Sequence, residues 1–340
     1  MNVEFHYYIV YHLARKAGME DRDAWIVAYS SQHVDASTVS YTVEMDRGEY
    51  RTAVTQDYGW WDESFPREVY VPFHFLPGDA APPGARRADG GANRLNTTPG
   101  SANAKALLVA ALKTRDLYRV GIGLHTYADT WAHQNFTGIL EDWNAVDQDL
   151  PIPSIGHAQA LTNPDRLGHT WEDPRLEPRL RTVRNWERQR LAARMVYRYL
   201  ATYNHRGFDD ADLVVDELFE ILSPGIGRRT GEERILDLII ACDLMRYGRR
   251  DWLEEALVVE PGFFGRSEEE QAGYDKLRWL KDAALHRTSL IRKRPVAARE
   301  GFTSSHLYRW NQAARAHRET AWSILPPEAE SVVARSGAGR

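Results

Sequence analysis

The stretch Gly123-Leu124-His125-Thr126-Tyr127-Ala128-Asp129-Thr130-Trp131-Ala132-His133-Gln134-Asn135 decides how this chain is read. Its small and apolar members, Gly123, Leu124, Tyr127, Ala128, Trp131 and Ala132, predict a helix buried on most sides. Within it His125, Asp129 and His133 stand at i, i+4 and i+8, along one helical stripe. Imidazole nitrogens and a carboxylate oxygen are good ligands for zinc and similar cations. The alternative, a polar stripe facing solvent, conflicts with the apolar neighbours. Three buried ionisable groups are costly unless paired or metallated. The spacing lets one segment serve neighbouring metals, with Asp129 between them.

Working outward, further segments offer ligands. Phe5-His6-Tyr7 lies near the N-terminus, His33-Val34-Asp35 ends a predicted helix, and Phe73-His74-Phe75 lies in an apolar run. Each alone reads as structural, because a single His among aromatics is usually a hydrogen-bonded core residue. Beside the central motif they become candidates. Downstream, His157 and Asp165 add an imidazole and a carboxylate, with His169 and Asp173 leaving the ligand choice open. Of the 12 histidines, eight lie in the first half. Metal chemistry is therefore expected there, with the second half supporting it.

Periodicity predicts an all-α, mainly helical fold with a small β excursion and extra C-terminal helices. Helices are expected over Glu4–Lys16, Arg22–His33 with Asp21 as cap, Ser101–Leu112 with Ser101 as cap, and Arg115–Phe136. After Pro178 they are expected over Leu180–Tyr203, Asp209–Leu222, Gly231–Tyr247, Trp252–Val258, Glu268–Leu285 and Ser304–Ile324. Appreciable β structure is expected only between Thr38 and Phe75. It comprises a hairpin around Asp46-Arg47-Gly48 and an extended Glu68–Leu76. Asp79–Gly100, rich in Gly, Pro and Ala, reads as a flexible surface loop or lid. The domain reading is a single helical domain over 1–330, with a metal-site half (1–175) and a supporting half (176–330). Residues 331–340 then form a flexible tail.

Composition sets limits. The 340 residues are 43% hydrophobic and 27% charged, a globular mix that excludes wholesale disorder and collagen-like repeats. A net charge of −5 offers no global basic field, so no stable nucleic-acid partner is expected. The one cysteine, Cys242, has no internal disulfide partner and reads as a buried structural thiol. No export signature or transmembrane run is evident, so the expectation is a cytoplasmic protein without membrane insertion. Oligomeric state is left open.

The order of these motifs resembles the superfamily of zinc-dependent phospholipase C and the single-strand-specific zinc nucleases, an all-α group holding three zinc ions. The chain is also similar to an uncharacterised bacterial family with four shared motifs. They are Phe5 to Tyr7, Ser31 to Asp35, Pro72 to Gly78 and His125 to Gln134. The resemblance covers roughly the first 175 residues. It implies that Asp35, His74, His125 and Asp129 hold a first zinc. His6 and a bridging Asp129 would hold its close partner, and His133 and His157 with a carboxylate, here Asp165, the third. In exported relatives the processed N-terminal residue is also a ligand. Here Met1 precedes His6, so a two-metal site or a substitute such as His12, His33 or Glu4 is the expectation. The spacing from Asp129 to His133 is also shorter than in the secreted enzymes, and Leu161 stands four residues after His157, where those relatives place a carboxylate.

The implied activity is zinc-dependent hydrolysis of phosphoester bonds in a soluble small-molecule or nucleotide-like substrate, using two or three zinc ions. Asp35 is the catalytic candidate that positions or deprotonates water. Trp60, Trp61, Trp131 and Tyr127 are candidates to wall the pocket. Other readings are a non-phosphate metallohydrolase, a di-iron oxygenase and a metal-stabilised non-catalytic binding protein. The di-iron reading lacks the usual Glu-x-x-His pairs.

Overall fold

The first helix predicted from Glu4 to Lys16 forms in two parts. In the computed structural model, Glu4–Ile9 is a π-helical turn that runs into α1, Val10–Lys16. The structure describes residues 1–57, 62–82, 85–147, 149–223, 226–259 and 295–337. Helix α2 spans Asp21–Ala36; Glu20 takes the capping position, and Asp21 instead accepts a hydrogen bond from the Tyr11 hydroxyl at 3.0 Å.

The hairpin forms as expected. Strands β1 (Thr42–Glu44) and β2 (Glu49–Arg51) pair antiparallel, with Val43 opposite Tyr50. The segment Glu68–Leu76 corrects its expectation of an extended chain. Pro66–His74 is a second π-helical turn, and Phe75 N–H closes it on Tyr70 O at 2.8 Å. Its β-branched and aromatic residues mimic a strand pattern, but Val69 to His74 are all buried, and packing overrides propensity. A π turn also accommodates Pro72, which has no N–H to give. Such turns recur at functional sites.

Helix α3, Ala102–Lys113, is capped by Ser101, whose side chain accepts from Ala104 N–H. Helix α4, Leu117–Ala132, is capped by Asp116. Every residue from Val120 to Ala132 is buried, so α4 is the central helix. It packs against α2, α3 and later helices. Gly121 allows the approach to α2: a Cβ there would stand 2.3 Å from Val27 O.

The Asp79–Gly100 loop is not free at its far end. Leu95, Asn96 and Thr97 are buried, and Thr97 exchanges backbone hydrogen bonds with Asn135 and Phe136 at 3.0 and 2.9 Å.

The second half supplies α5 (Asn185–Tyr203), α6 (Ala211–Leu222), α7 (Gly231–Cys242), α8 (Asp251–Ala256), α9 (His306–Ile324) and α10 (Pro327–Gly337). Helix α5 starts later than Leu180 because β3 (Thr170–Glu172) and β4 (Thr182–Arg184) form a second hairpin. Strand β5 (Leu257–Val258) pairs with β6 (Pro295–Ala298), which lies parallel to β1. Thus β structure is not confined to Thr38–Phe75, though the fold remains mainly α. Helix α7 stops at Cys242, where Asp243 turns left-handed at φ 50°; Cys242 is half-buried rather than buried. The expected tail is corrected too, since α10 covers Pro327–Gly337 and buries Val333. The helix expected over Glu268–Leu285 lies outside the described residues. The larger of two hydrophobic clusters among the described residues runs from Met1 to Val333 through both halves, and the smaller gathers Val69, Phe75, Phe136, Ile155 and Trp171.

Candidate metal centre

Helix α4 carries His125 and Asp129 to the middle of the protein, both 0% exposed. Asp129 divides its two oxygens. Oδ1 faces His6 Nε2 at 3.0 Å and the Met1 amino group, while Oδ2 faces His74 Nδ1 at 3.2 Å and His125 Nε2 at 3.3 Å. Asp35 reaches in from the end of α2, with Oδ1 3.7 Å from His125 Nε2 and 3.9 Å from His74 Nδ1. The two π turns therefore deliver His6 and His74, and α2 and α4 deliver the rest.

Beyond α4 a second set forms. His133 caps the helix and places Nε2 3.0 Å from Asp165 Oδ1. His157 Nε2 stands 3.5 Å from Asp165 Oδ2. The amino group of Met1 joins the two sets, lying 3.3 Å from Asp165 Oδ1 as well as against Asp129. Three groups of donors able to hold an ion result: His6, His125 and Asp129; Asp35, His74 and His125; and His133, His157 and Asp165. Four ligands at ~2.1 Å around a tetrahedral ion stand ~3.4 Å apart. The imidazole–carboxylate separations above, 3.0 to 3.9 Å, bracket that value, and the donors of each group lie within 4.8 Å of one another.

Tautomers give an independent test of fit. His74 Nε2–H donates to Thr55 O at 2.8 Å, His133 Nδ1–H to His74 O at 2.9 Å, and His157 Nδ1–H to Leu161 O at 2.7 Å. These carbonyls fix the proton on the far nitrogen, as in outer-sphere support of metal-binding histidines. Each neutral ring then turns a lone pair toward carboxylate oxygens. Acceptor faces acceptor, which a proton or a cation between them would relieve. Among the described residues, Nδ1 of His6 and of His125 has no hydrogen-bond partner, so no carbonyl fixes the proton of either ring there.

The electrostatics are equally strained. Burial works against the charge of Asp129, yet His133, the Met1 amino group, His125 and His6 hold its pKa well below the usual range. Burial raises that of Asp35. Burial, reinforced by His125, pushes His6 well below its ordinary value, and burial lowers His157 to about 4. Burial also opposes the positive charge on His74 and on the Met1 amine. Nearby carboxylates outweigh it, raising His74 and lifting the amine to about 10. Such opposed shifts mark a site built to hold charge.

All eight residues singled out in the sequence come together: His6, Asp35, His74, His125, Asp129, His133, His157 and Asp165. The open choice at the third group resolves to Asp165, since Asp173 is buried in a bidentate pair with Arg175. The expected substitutes for an N-terminal ligand are elsewhere. Glu4 pairs with Arg234, His33 packs on Trp252 and Trp310, and burial among Arg15 and Lys16 governs His12. The Met1 amino group instead pairs with Asp129 and Asp165. A cleft of about 1320 Å³ opens on Met1, Asp35, His74, His133, His157 and Asp165. Tyr127 and Trp131 do not line it, but Tyr8, Tyr70, Phe75 and Tyr247 do. Trp60 and Trp61 lie outside the described residues.

Residues 1–325 match a family of unknown function, DUF6765. The chain belongs to that family. Nothing among curated proteins or solved structures matches it. The DUF6765 match spans both halves and so takes in every ligand candidate. Among the described residues, no helix is long and apolar enough to cross a membrane.

Proposed function

We propose that this protein is a zinc-dependent hydrolase of phosphoester bonds in a soluble substrate. The observation that carries the reading is the division of Asp129, whose two oxygens serve two adjacent donor sets while Asp35 stands at the cleft edge. A carboxylate so placed would offer one oxygen to each of two neighbouring ions. Paired divalent ions supply hydroxide at neutral pH and offset charge on a phosphoryl transition state. Groups of imidazole and carboxylate donors suit zinc.

The chain's own residues then have separable roles. His6, Asp35, His74, His125 and Asp129 form the inner set, and His133, His157 and Asp165 the outer. Thr55 O, His74 O and Leu161 O hold three rings in the ligand tautomer. Asp35, 19% exposed, orients the attacking water and takes its proton. The resemblance of the motif order to the phospholipase C and zinc nuclease superfamily supports this reading.

The test is a panel of phosphomonoesters, phosphodiesters, nucleotides and carboxylic esters, with added zinc against a chelator control. Chelator-sensitive phosphoester hydrolysis is expected. Turnover of carboxylic esters alone, or none by a fully metallated protein, contradicts the reading.

A further inference from the structure

Ten buried side-chain oxygens have no hydrogen-bond partner among the described residues, and two of their owners line the metal cleft: Gln32 and Tyr247. An unpaired buried polar oxygen is costly, and such atoms call for an explanation.

Neither residue is loosely placed. Gln32 sits one turn before Asp35 on α2 and is 7% exposed. Tyr247 follows the end of α7, and its backbone is tied down on both sides. Its N–H donates to the Tyr8 hydroxyl at 3.0 Å, and the next carbonyl, Gly248 O, accepts from the Tyr29 hydroxyl at 2.8 Å. Its ring packs against Tyr7 and Tyr29, each with centroids 5.1 Å away. Two residues on, Arg249 reaches Ala36 O, beside Asp35, at 3.5 Å. The loop is thus laid along the end of α2; burial pushes the pKa of the Tyr247 hydroxyl up, with the charges of Arg249 and Asp35 acting on it in opposite directions.

The chemistry of the pair is specific. Gln32 offers an amide oxygen, an acceptor that a phosphate without a proton cannot satisfy. Tyr247 offers a hydroxyl that donates and accepts. Together they match a ligand hydroxyl, which donates to Gln32 Oε1 and accepts from Tyr247. Both residues line the cleft, and both oxygens are buried and unpartnered among the described residues.

We propose that Gln32 and Tyr247 form a hydroxyl-recognising subsite beside Asp35, so that the substrate is a phosphoester whose alcohol carries a further free hydroxyl. The ester in this statement rests on the phosphoesterase reading; the hydroxyl subsite is a claim about binding.

The experiment is calorimetric titration of the zinc-loaded parent protein with glycerol 3-phosphate, propyl phosphate and inorganic phosphate, the hydrolysis-resistant methylene phosphonates of the two esters replacing them where they turn over. Glycerol 3-phosphate should bind about tenfold more tightly than propyl phosphate, the effect of one or two hydrogen bonds to neutral partners. Adding Tyr247→Phe or Gln32→Leu should each remove most of that preference and leave propyl phosphate and inorganic phosphate unchanged. Tyr247→Phe keeps the ring packing, so it carries the test where Gln32→Leu fails to fold. Equal affinity for the hydroxylated and deoxy ligands overturns the subsite, even where the parent protein hydrolyses esters. Loss of inorganic phosphate binding in Gln32→Leu overturns it too, because the amide would then present its N–H to phosphate. A hydroxyl preference in a protein that hydrolyses no ester keeps the subsite and removes the phosphoesterase reading. No binding of any probe overturns the subsite.

Discussion

The inner and outer donor sets use the same residue types in opposite settings. The inner set comes from helical elements, α2, α4 and two π turns, and His6, His125 and Asp129 are fully buried. It shares His125 between two groups and Asp129 with both. The outer set has one helical member, His133 at the end of α4. His157 and Asp165 stand on irregular chain, 21% and 16% exposed. Desolvation makes uncompensated charge expensive inside and cheaper at the rim. The inner set should therefore be coupled to folding, and the outer set should exchange its ion with little effect on the fold.

The largest expected effect comes from Asp129→Asn. Removing the shared carboxylate should cut bound metal to at most the outer ion, with activity down at least about a thousandfold, the several kcal/mol an ion supplies. Metal analysis and turnover on the same sample check it. Full metal content in Asp129→Asn would break the idea of a shared inner ligand.

Asp35→Asn comes next. If Asp35 handles water, kcat should fall about 10²- to 10⁴-fold with little change in KM. A large KM change at unchanged kcat would make Asp35 a binding group instead.

His157→Ala sharpens the comparison. It should remove one ion and leave the inner set loaded, with a melting temperature within a few degrees of the parent. A collapse as severe as that of Asp129→Asn would erase the distinction between the sets.

The smallest effect concerns buried histidines outside both sets. Burial lowers His317 from its ordinary value of 6.5 to about 3, and His12 to about 4. Both fold neutral, so between those values and pH 6.5 the unfolded chain binds more protons. Their contribution is complete above about pH 6.5 and is lost as pH falls toward 3 to 4. In chelator-treated protein, melting temperature should drop over that window. His317→Gln should flatten the slope; an unchanged slope would assign it to the metal-site groups.

How much was legible follows the same division. The His125, Asp129, His133 motif could be read because helical spacing maps sequence onto one face, and the ring of Ala, Gly and aromatic neighbours announced burial. His6 and His74 were legible as residues but not as geometry. The π turn over Pro66–His74 reads as a strand, since Val69, Val71 and Phe73 alternate like one. Asp165 could not be chosen over Asp173 from spacing, because irregular chain with a left-handed Leu161 (φ 55°) obeys no period. Only the Arg175 pair withdraws Asp173. The Met1 amino group has no side-chain signature at all. Nor do the backbone carbonyls of Thr55, His74 and Leu161, which set tautomers through folding alone.

The central claim is that these residues exist to hold metal, and the most direct measurement is metal content in protein purified without added metal. Inductively coupled plasma mass spectrometry, paired with melting before and after chelation, reads both stoichiometry and coupling to folding. The account predicts two to three zinc ions per chain and a lower melting temperature once they are stripped. A folded protein without bound metal, whose melting temperature is indifferent to zinc and chelator, would contradict it.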